Sequence, residues 1–219
     1  VSWPVCLDAR QDPAEWLSRA ARHVRAGGLL AYPTETVYGL GGGISEGAVA
    51  ALRALKSREP AKPFLLLVPS RAAVAELRWT RAAEDLAAAF WPGALTLVLA
   101  DPLGIFPSWV GDPGRRAVGV RVSPHPVVEL LVHEVGPLTS TSLNAPGERP
   151  AASGAEAVEV VRRLGGRDVL VLDAGTLPPS GPSTVVDCVG EEPVVVREGT
   201  IPINRLRCAA PGIHAREFS

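Results

Sequence analysis

The sequence predicts an α/β fold, a sheet covered by helices, on three observations. Short apolar runs of the buried-strand kind recur at 29–32, 64–68, 95–99, 117–122, 169–172 and 194–196. Segments with apolar residues at helical spacing lie between them, and such alternation builds sheets with helices on their faces. No internal repeat, low-complexity segment or long linker divides the 219 residues. A single domain is therefore expected over 1–219, with a core at about 13–200 and, from about 201, a short helix and a loose C-terminal tail.

Asp12 as N-cap, Pro13 at the first helical position and Glu15 two residues on mark a helix start. Trp16, Leu17, Ala20, Ala21 and Val24 follow at helical spacing, and Gly27-Gly28 ends the helix. The run 29–32 reads as a buried strand that Pro33 stops, having no N–H to donate. The glycines at 39, 41, 42 and 43 read as a turn giving backbone room beside a ligand. Ser45 starts a helix with Val49, Leu52 and Leu55 on one face; it runs out near Lys56 because Pro60 and Pro63 forbid continuation. Ser70 caps a short helix to Leu77, and Thr80 another to Phe90. Trp91-Pro92-Gly93 breaks the chain before the strand at 95–99, and the Pro- and Gly-rich stretch 101–116 reads as a loop. The strand at 117–122 carries Arg121 at its end, Ser123-Pro124 starts a helix to about Glu134, and a strand from Pro137 runs into the polar stretch 139–144. Ser153 and Glu156 form a capping box for a helix to Leu164, and 183–188 supplies a further strand.

Hydrophobic content of 47% with 21% charged residues is that of a soluble globular protein. No apolar run approaches the roughly 18 residues a membrane span needs, and the start lacks the pattern of a signal peptide. Cys6, Cys188 and Cys208 are far apart and odd in number, which fits a reducing cytoplasm rather than a disulfide framework or zinc site. The net charge of −1 does not announce a nucleic-acid binder, although a neutral sum can hide a basic cleft. Of 22 basic residues only Lys56 and Lys62 are lysines, which points to a need for a compact ammonium at that place.

The familiar catalytic signatures are absent: there is no Walker-type phosphate loop, nucleophile-elbow serine or zinc-protease helix. His23, His125, His133 and His214 are scattered and read as surface or helix-face residues. What remains is a set of polar groups at strand ends, where open α/β sheets place ligands. Thr34, Glu35, Thr36 and Tyr38 follow the first long apolar run. Lys56, Arg58 and Lys62 place three cations within seven residues. They read as helix C-terminal charge balance or as phosphate ligands, each pair with an anion gaining about 4 kcal/mol at ~4 Å and an effective dielectric of 20, before desolvation. The run 139–144 offers hydroxyls and an amide, as a polar turn or a ligand wall. Arg121 can hold a carboxylate bidentately or pair with an internal Asp or Glu. Ser183-Thr184 and Arg197 repeat the theme.

Seven separated motifs bring these signals together: PTETVYGL at 33–40, Lys56-Ser57-Arg58 with Lys62-Pro63, Trp91-Pro92-Gly93 with its Leu-Thr strand, Val120-Arg121, Ser142-Leu143-Asn144, Ser183-Thr184-Val185 and Val196-Arg197-Glu198-Gly199. In this order they resemble the YrdC-like threonylcarbamoyl-AMP synthases over about residues 13–200. The resemblance implies a twisted, open mixed sheet with helices packed on it, around a large, positively lined cavity. It implies condensation of L-threonine, bicarbonate or CO2 and ATP into threonylcarbamoyl-AMP and pyrophosphate, for threonylcarbamoyladenosine modification of tRNA. Carried over by residue, it assigns ATP to Lys56, Arg58, Lys62, Ser142, Asn144 and Arg197, with Lys56 and Arg58 at the reacting phosphates. It assigns threonine to Thr34, Arg121, Ser140 and Ser183, with Arg121 on the carboxylate. Mg²⁺ is expected with the ATP, no protein metal ligand is identified, and no tightly bound cofactor is expected.

The expected form is the short, single-domain one, cytoplasmic and without membrane attachment. Its expected partners are tRNA or double-stranded RNA and the proteins that transfer the threonylcarbamoyl group onward. Glu59, where the family commonly has proline, weakens the positive field of the lysine loop; Pro146 replaces a usual serine. Two other readings stand beside it: a non-catalytic module that grips tRNA or double-stranded RNA through its basic cavity, and a carbamoyl-transfer domain of the hydrogenase-maturation type, which shares the same motifs.

Overall fold

The computed structural model describes residues 3–59 and 62–215. Pro60, expected to help stop the second helix, lies outside them.

The chain runs through β1 (Cys6–Asp8), α1 (Pro13–Arg25), β2 (Leu29–Tyr32), β3 (Gly39–Gly42), α2 (Glu46–Leu55) and β4 (Leu65–Leu67). It continues through α3 (Arg81–Phe90), β5 (Leu95–Ala100), β6 (Ala117–Arg121), α4 (Pro126–Val135), β7 (Leu138–Ser142) and α5 (Gly154–Arg163). It closes with β8 (Val169–Asp173), β9 (Thr184–Asp187), β10 (Val194–Arg197), α6 (Ile203–Ala209) and β11 (His214–Ala215). The strands form one mixed sheet in the order β1-β8-β2-β3-β7-β4-β6-β5-β9-β10-β11. Parallel pairs such as β4 with β6 and β5 with β9 alternate with antiparallel pairs such as β2 with β3 and β5 with β6.

Because side chains alternate across a strand, the sheet has two distinct faces. On one, Leu29, Ala31, Leu40, Leu66, Leu97 and Val120 pack in a core with Val49 and Leu52 of α2, Leu86 of α3, Val161 of α5 and Leu206 of α6. On the other, Leu30, Tyr32, Leu67, Leu138, Leu170 and Leu172 pack against Trp16, Ala20 and Val24 of α1 and Val128 and Leu131 of α4. The helix starts follow their caps. Asp12 accepts from the Ala14 amide, Ser45 from Ala48, Thr80 from Ala83 and Ser153 from Glu156.

Four expectations are corrected. The glycine run is not a turn: Gly39–Gly42 form β3, paired with both β2 and β7. An ideal Cβ on Gly41 would stand 1.7 Å from the Thr139 carbonyl oxygen, so the missing side chain makes room for a neighbouring backbone rather than for a ligand. Gly41→Ala is expected to cost about 1–3 kcal/mol by overpacking. An unchanged urea midpoint would show that the strands can move apart.

The helix expected from Ser123-Pro124 begins at Pro126 with His125 as N-cap, its Nδ1 accepting from the Val127 amide. Pro124 keeps Ser123 extended, and the Ser123 hydroxyl instead donates to Glu35. The helix expected at 70–77 is a single 3-10 turn, Ala72–Val74. The short helix expected after Ile201 is present as α6, but the loose tail expected with it is packed as far as Ala215. There α6 lies on α3, Ile213 is buried and β11 pairs with β10, because this segment carries enough apolar side chains to extend the core.

Candidate active site

Strand alternation puts half of the candidate residues on one sheet face. Register pairs Leu67 with Arg121 and with Leu138, so Arg121, Leu138, Ser140 and Ser142 share the face that α1 and α4 pack against farther along. Val98 pairs with Gly119 and with Asp187, which adds Thr96 and Ser183 to the same face. A β-bulge between Val195 and Arg197 brings Arg197 opposite Val185, on this face rather than on the core face that Val195 occupies. Here apolar strand positions give way to hydroxyls and cations.

Arg121 is the centre of the buried part, 3% exposed. Its Nε stands 3.5 Å from Glu35 Oε1, beyond good hydrogen-bond range, and both atoms are buried without a hydrogen-bond partner among the described residues. The other Glu35 oxygen accepts from the Ser123 hydroxyl. Burial lowers the Arg121 pKa, while Glu35 and Tyr32 oppose the shift. The buried Tyr32 hydroxyl donates to Thr139 O at 3.1 Å, and burial pushes its pKa up to about 12.

Thr34 is buried, and its hydroxyl closes the turn after β2. It donates to Val37 O at 2.7 Å, lies 2.9 Å from Thr36 Oγ1 and accepts from the amides of Thr36 and Val37. Tyr38 points the other way, into the core, with its hydroxyl on Gly175 O.

Beside Arg121, Ser183 Oγ lies 3.0 Å from Thr96 Oγ1 and accepts from Arg197 Nη2 at 3.2 Å. The Arg197 guanidinium also holds Ser183 O at 2.8 Å. The residue is exposed along part of its length, yet its head turns inward; burial and then the charge of Arg121 lower its pKa. Two arginines close enough to oppose each other's charge favour an anion between them.

The second cluster sits at the end of β7. Lys56, at the C-cap of α2, donates to Ser142 O at 3.1 Å, Asn144 O at 2.6 Å and Asn144 Oδ1 at 3.1 Å. Ser142 Oγ donates to the same Oδ1 at 2.7 Å. Lys56 and the Ser-x-Asn motif, 86 residues apart, thus form one unit. Burial, then Arg58, lowers the lysine's pKa. Asn144 Nδ2 donates to Ala145 O and Glu148 O, clasping the turn that contains Pro146.

Arg58 and Lys62 do not join that unit. Arg58 donates to Lys62 O and Pro63 O and stacks on Phe64, with Arg53 at the same 4.8 Å from the ring centroid. Lys62 and Glu59 are exposed. β7 links the clusters, since Ser140 and Ser142 lie two residues apart on one face. A recess of about 420 Å³ under the 101–116 loop, lined by Asp101, Phe106, Asp112 and Arg116, includes none of these residues.

Sequence reading passed over Thr96, Ser123 and the pairing of Glu35. Thr96 had a visible signal, a hydroxyl at an alternate position of an otherwise apolar strand. Ser123 had none, because its contact with Glu35 spans 88 residues.

An open mixed sheet that gathers a buried arginine, a second arginine with its head turned inward and several hydroxyls on one face, with a half-buried lysine at the end of β7, defines an α/β protein whose charge arrangement suits small anionic ligands. The chain belongs to the Sua5/YciO/YrdC family, whose model, described as telomere recombination, matches residues 22–199. It is 39% identical to the threonylcarbamoyl-AMP synthase of Pseudomonas putida over 84% of this chain and 97% of that protein. It is 38% identical to that of Chromohalobacter salexigens over 81% and 95%. The crystal structure of Pyrococcus abyssi Sua5 complexed with L-threonine superposes with a TM-score of 0.87 at 30% identity, covering 97% of this chain and 62% of that longer one.

Proposed function

We propose that the chain is an L-threonylcarbamoyladenylate synthase, a nucleotidyltransferase that condenses L-threonine, bicarbonate or CO2 and ATP into threonylcarbamoyl-AMP and pyrophosphate. The product serves threonylcarbamoyladenosine modification of tRNA. The observation that carries this reading is the buried Arg121, with a free Nε, on one face with Ser140, Thr96 and Ser183. That is a site built for a small carboxylate bearing polar substituents. The relatives named as synthases and the threonine complex of the Pyrococcus protein support it.

In this reading Arg121 takes the threonine carboxylate and Ser140, Ser183 and Thr34 frame the amino acid. Ser142, Asn144 and Arg197 hold the nucleotide, and Lys56, Arg58 and Lys62 its phosphates. The threonine amine adds to CO2, a carbamate oxygen attacks the α-phosphorus, and the bond from that phosphorus to the bridging oxygen breaks to release pyrophosphate. Positioning and charge neutralisation carry such a step without a protein nucleophile. Among the described residues no three His, Cys, Asp or Glu side chains are grouped to hold a metal. Mg²⁺, if carried by the phosphates of ATP, would offset their charge there.

The product is a reactive mixed anhydride, so a protein that passes the threonylcarbamoyl group to tRNA adenosine has to follow. Supplying that protein with its substrate fits a cytoplasmic enzyme. Among the described residues no helix is long and apolar enough to cross a membrane. Pyrophosphate release that requires both threonine and bicarbonate tests the assignment. Salt-sensitive RNA binding with no pyrophosphate would favour the non-catalytic module instead.

A further inference from the structure

The charge arrangement around Arg121 contains one group that the assignments above leave without a role. Glu35 lies in the loop between β2 and β3. One of its carboxylate oxygens is held by Ser123, and the other is buried 3.5 Å from Arg121 Nε, both atoms lacking a hydrogen-bond partner among the described residues. A buried ion pair is stable when its remaining donors and acceptors are satisfied. This one leaves a donor and an acceptor open side by side. Within 4 Å of Arg121, Glu35 is the acidic partner among the described residues, and the other charged candidates, Lys56, Arg58, Lys62 and Arg197, are cations.

We propose that Glu35 Oε1 receives the ammonium group of the amino-acid substrate and accepts one of its protons, so that Arg121 and Glu35 together clamp a zwitterion. This rests on the synthase reading. An α-amino acid carries its carboxylate and ammonium on one carbon, so a single ligand satisfies both open atoms: a carboxylate oxygen accepts from Nε, and an ammonium N–H donates to Oε1. The proton step answers a chemical need, because an ammonium has no lone pair. The N–H bond breaks with its electron pair left on nitrogen, and Glu35 becomes a carboxylic acid. The freed pair attacks the carbon of CO2, forming the N–C bond as one C=O π pair moves to oxygen. The second nitrogen proton passes to water, leaving the carbamate.

The groups facing this carboxylate and its partner are Arg121 from β6, Ser123 and His125 at the entry to α4, Tyr32 from β2 and Arg197 from β10. His125 has its pKa lowered by burial, with Glu35 opposing the shift. The Tyr32 pKa near 12 leaves it neutral across the assay range.

The test is a ligand-and-residue cycle in the full-length protein. Titration calorimetry measures L-threonine and (R)-3-hydroxybutanoate, which is threonine without its amine, against wild type and Glu35→Gln, with ATP affinity as the control for an intact site. The expected result has four parts. Threonine binds Glu35→Gln at least 10-fold more weakly, and the amine-free analogue binds both proteins equally. At pH 7.5 kcat falls about 100-fold, the low end of what a positioned proton acceptor contributes. That loss shrinks as pH rises towards 9.5, where the free amine is supplied by solution.

Wild-type threonine affinity and kcat in Glu35→Gln would overturn the proposal. So would a wild type that binds threonine and 3-hydroxybutanoate equally, a measurement needing no variant at all. If wild type releases no pyrophosphate yet the binding cycle shows the coupling, the synthase reading and the proton step fall while the clamp stands.

Discussion

Lys56→Ala is expected to lower threonine-dependent pyrophosphate release by roughly 10²–10³-fold, the effect of deleting one preorganised donor from a transition state. The structure sharpens the reason. Lys56 is fixed against Ser142 O, Asn144 O and Asn144 Oδ1, so its charge is held in place by the motif that is assigned the nucleotide. Truncation removes the cation and loosens Asn144 together. Lys56→Arg should fail as well: three acceptors converge on a single ammonium, and a planar guanidinium cannot meet them at the same point. Near-wild-type pyrophosphate release from Lys56→Ala would remove the lysine from the reaction. Full activity in Lys56→Arg would show that the two lysines of the chain cluster by accident.

Arg121→Ala is expected to abolish detectable threonine binding and to destabilise the protein by about 3–5 kcal/mol, the cost of stranding a buried charge. The stranded charge is Glu35, whose side chain is 16% exposed against 4% for Arg121. Arg121→Ala combined with Glu35→Gln should recover part of that loss, with a coupling of about 0.5–3 kcal/mol. Denaturation midpoints of the two single variants and the double variant measure it. Strictly additive losses would mean that the two side chains do not interact, and a stable Arg121→Ala that binds threonine would displace Arg121 from the carboxylate.

Helices were the most legible part of the fold, because their signals are local. Asp12, Ser45, Thr80 and Ser153 each cap the helix the sequence assigns to them. Apolar runs were legible as strands for the same reason. The glycine strand was not, because β3 owes its pairing to β2 and β7 rather than to any strand propensity of its own. The short helix after Ile201 was legible, but its packing and the two-residue strand beyond it were not, because both gain their stability from α3 and β10, which no local window contains.

The sequence by itself determined which residue types the candidate site offers and that they stand at strand ends or just after a helix: a lysine pair in a chain of arginines, a Ser-x-Asn motif, an arginine closing an apolar strand. Tertiary structure decided which of them meet. It joined Lys56 to Ser142 and Asn144 while leaving Arg58 on Phe64, and it set Glu35 against Arg121. It also turned Arg197 to the site face through a bulge; simple alternation from Val195 would have sent that side chain to the core. The physical reason is register. Side-chain type is a local property, whereas the face a strand residue points to, and the partner it finds there, are set by pairings between segments far apart in the chain.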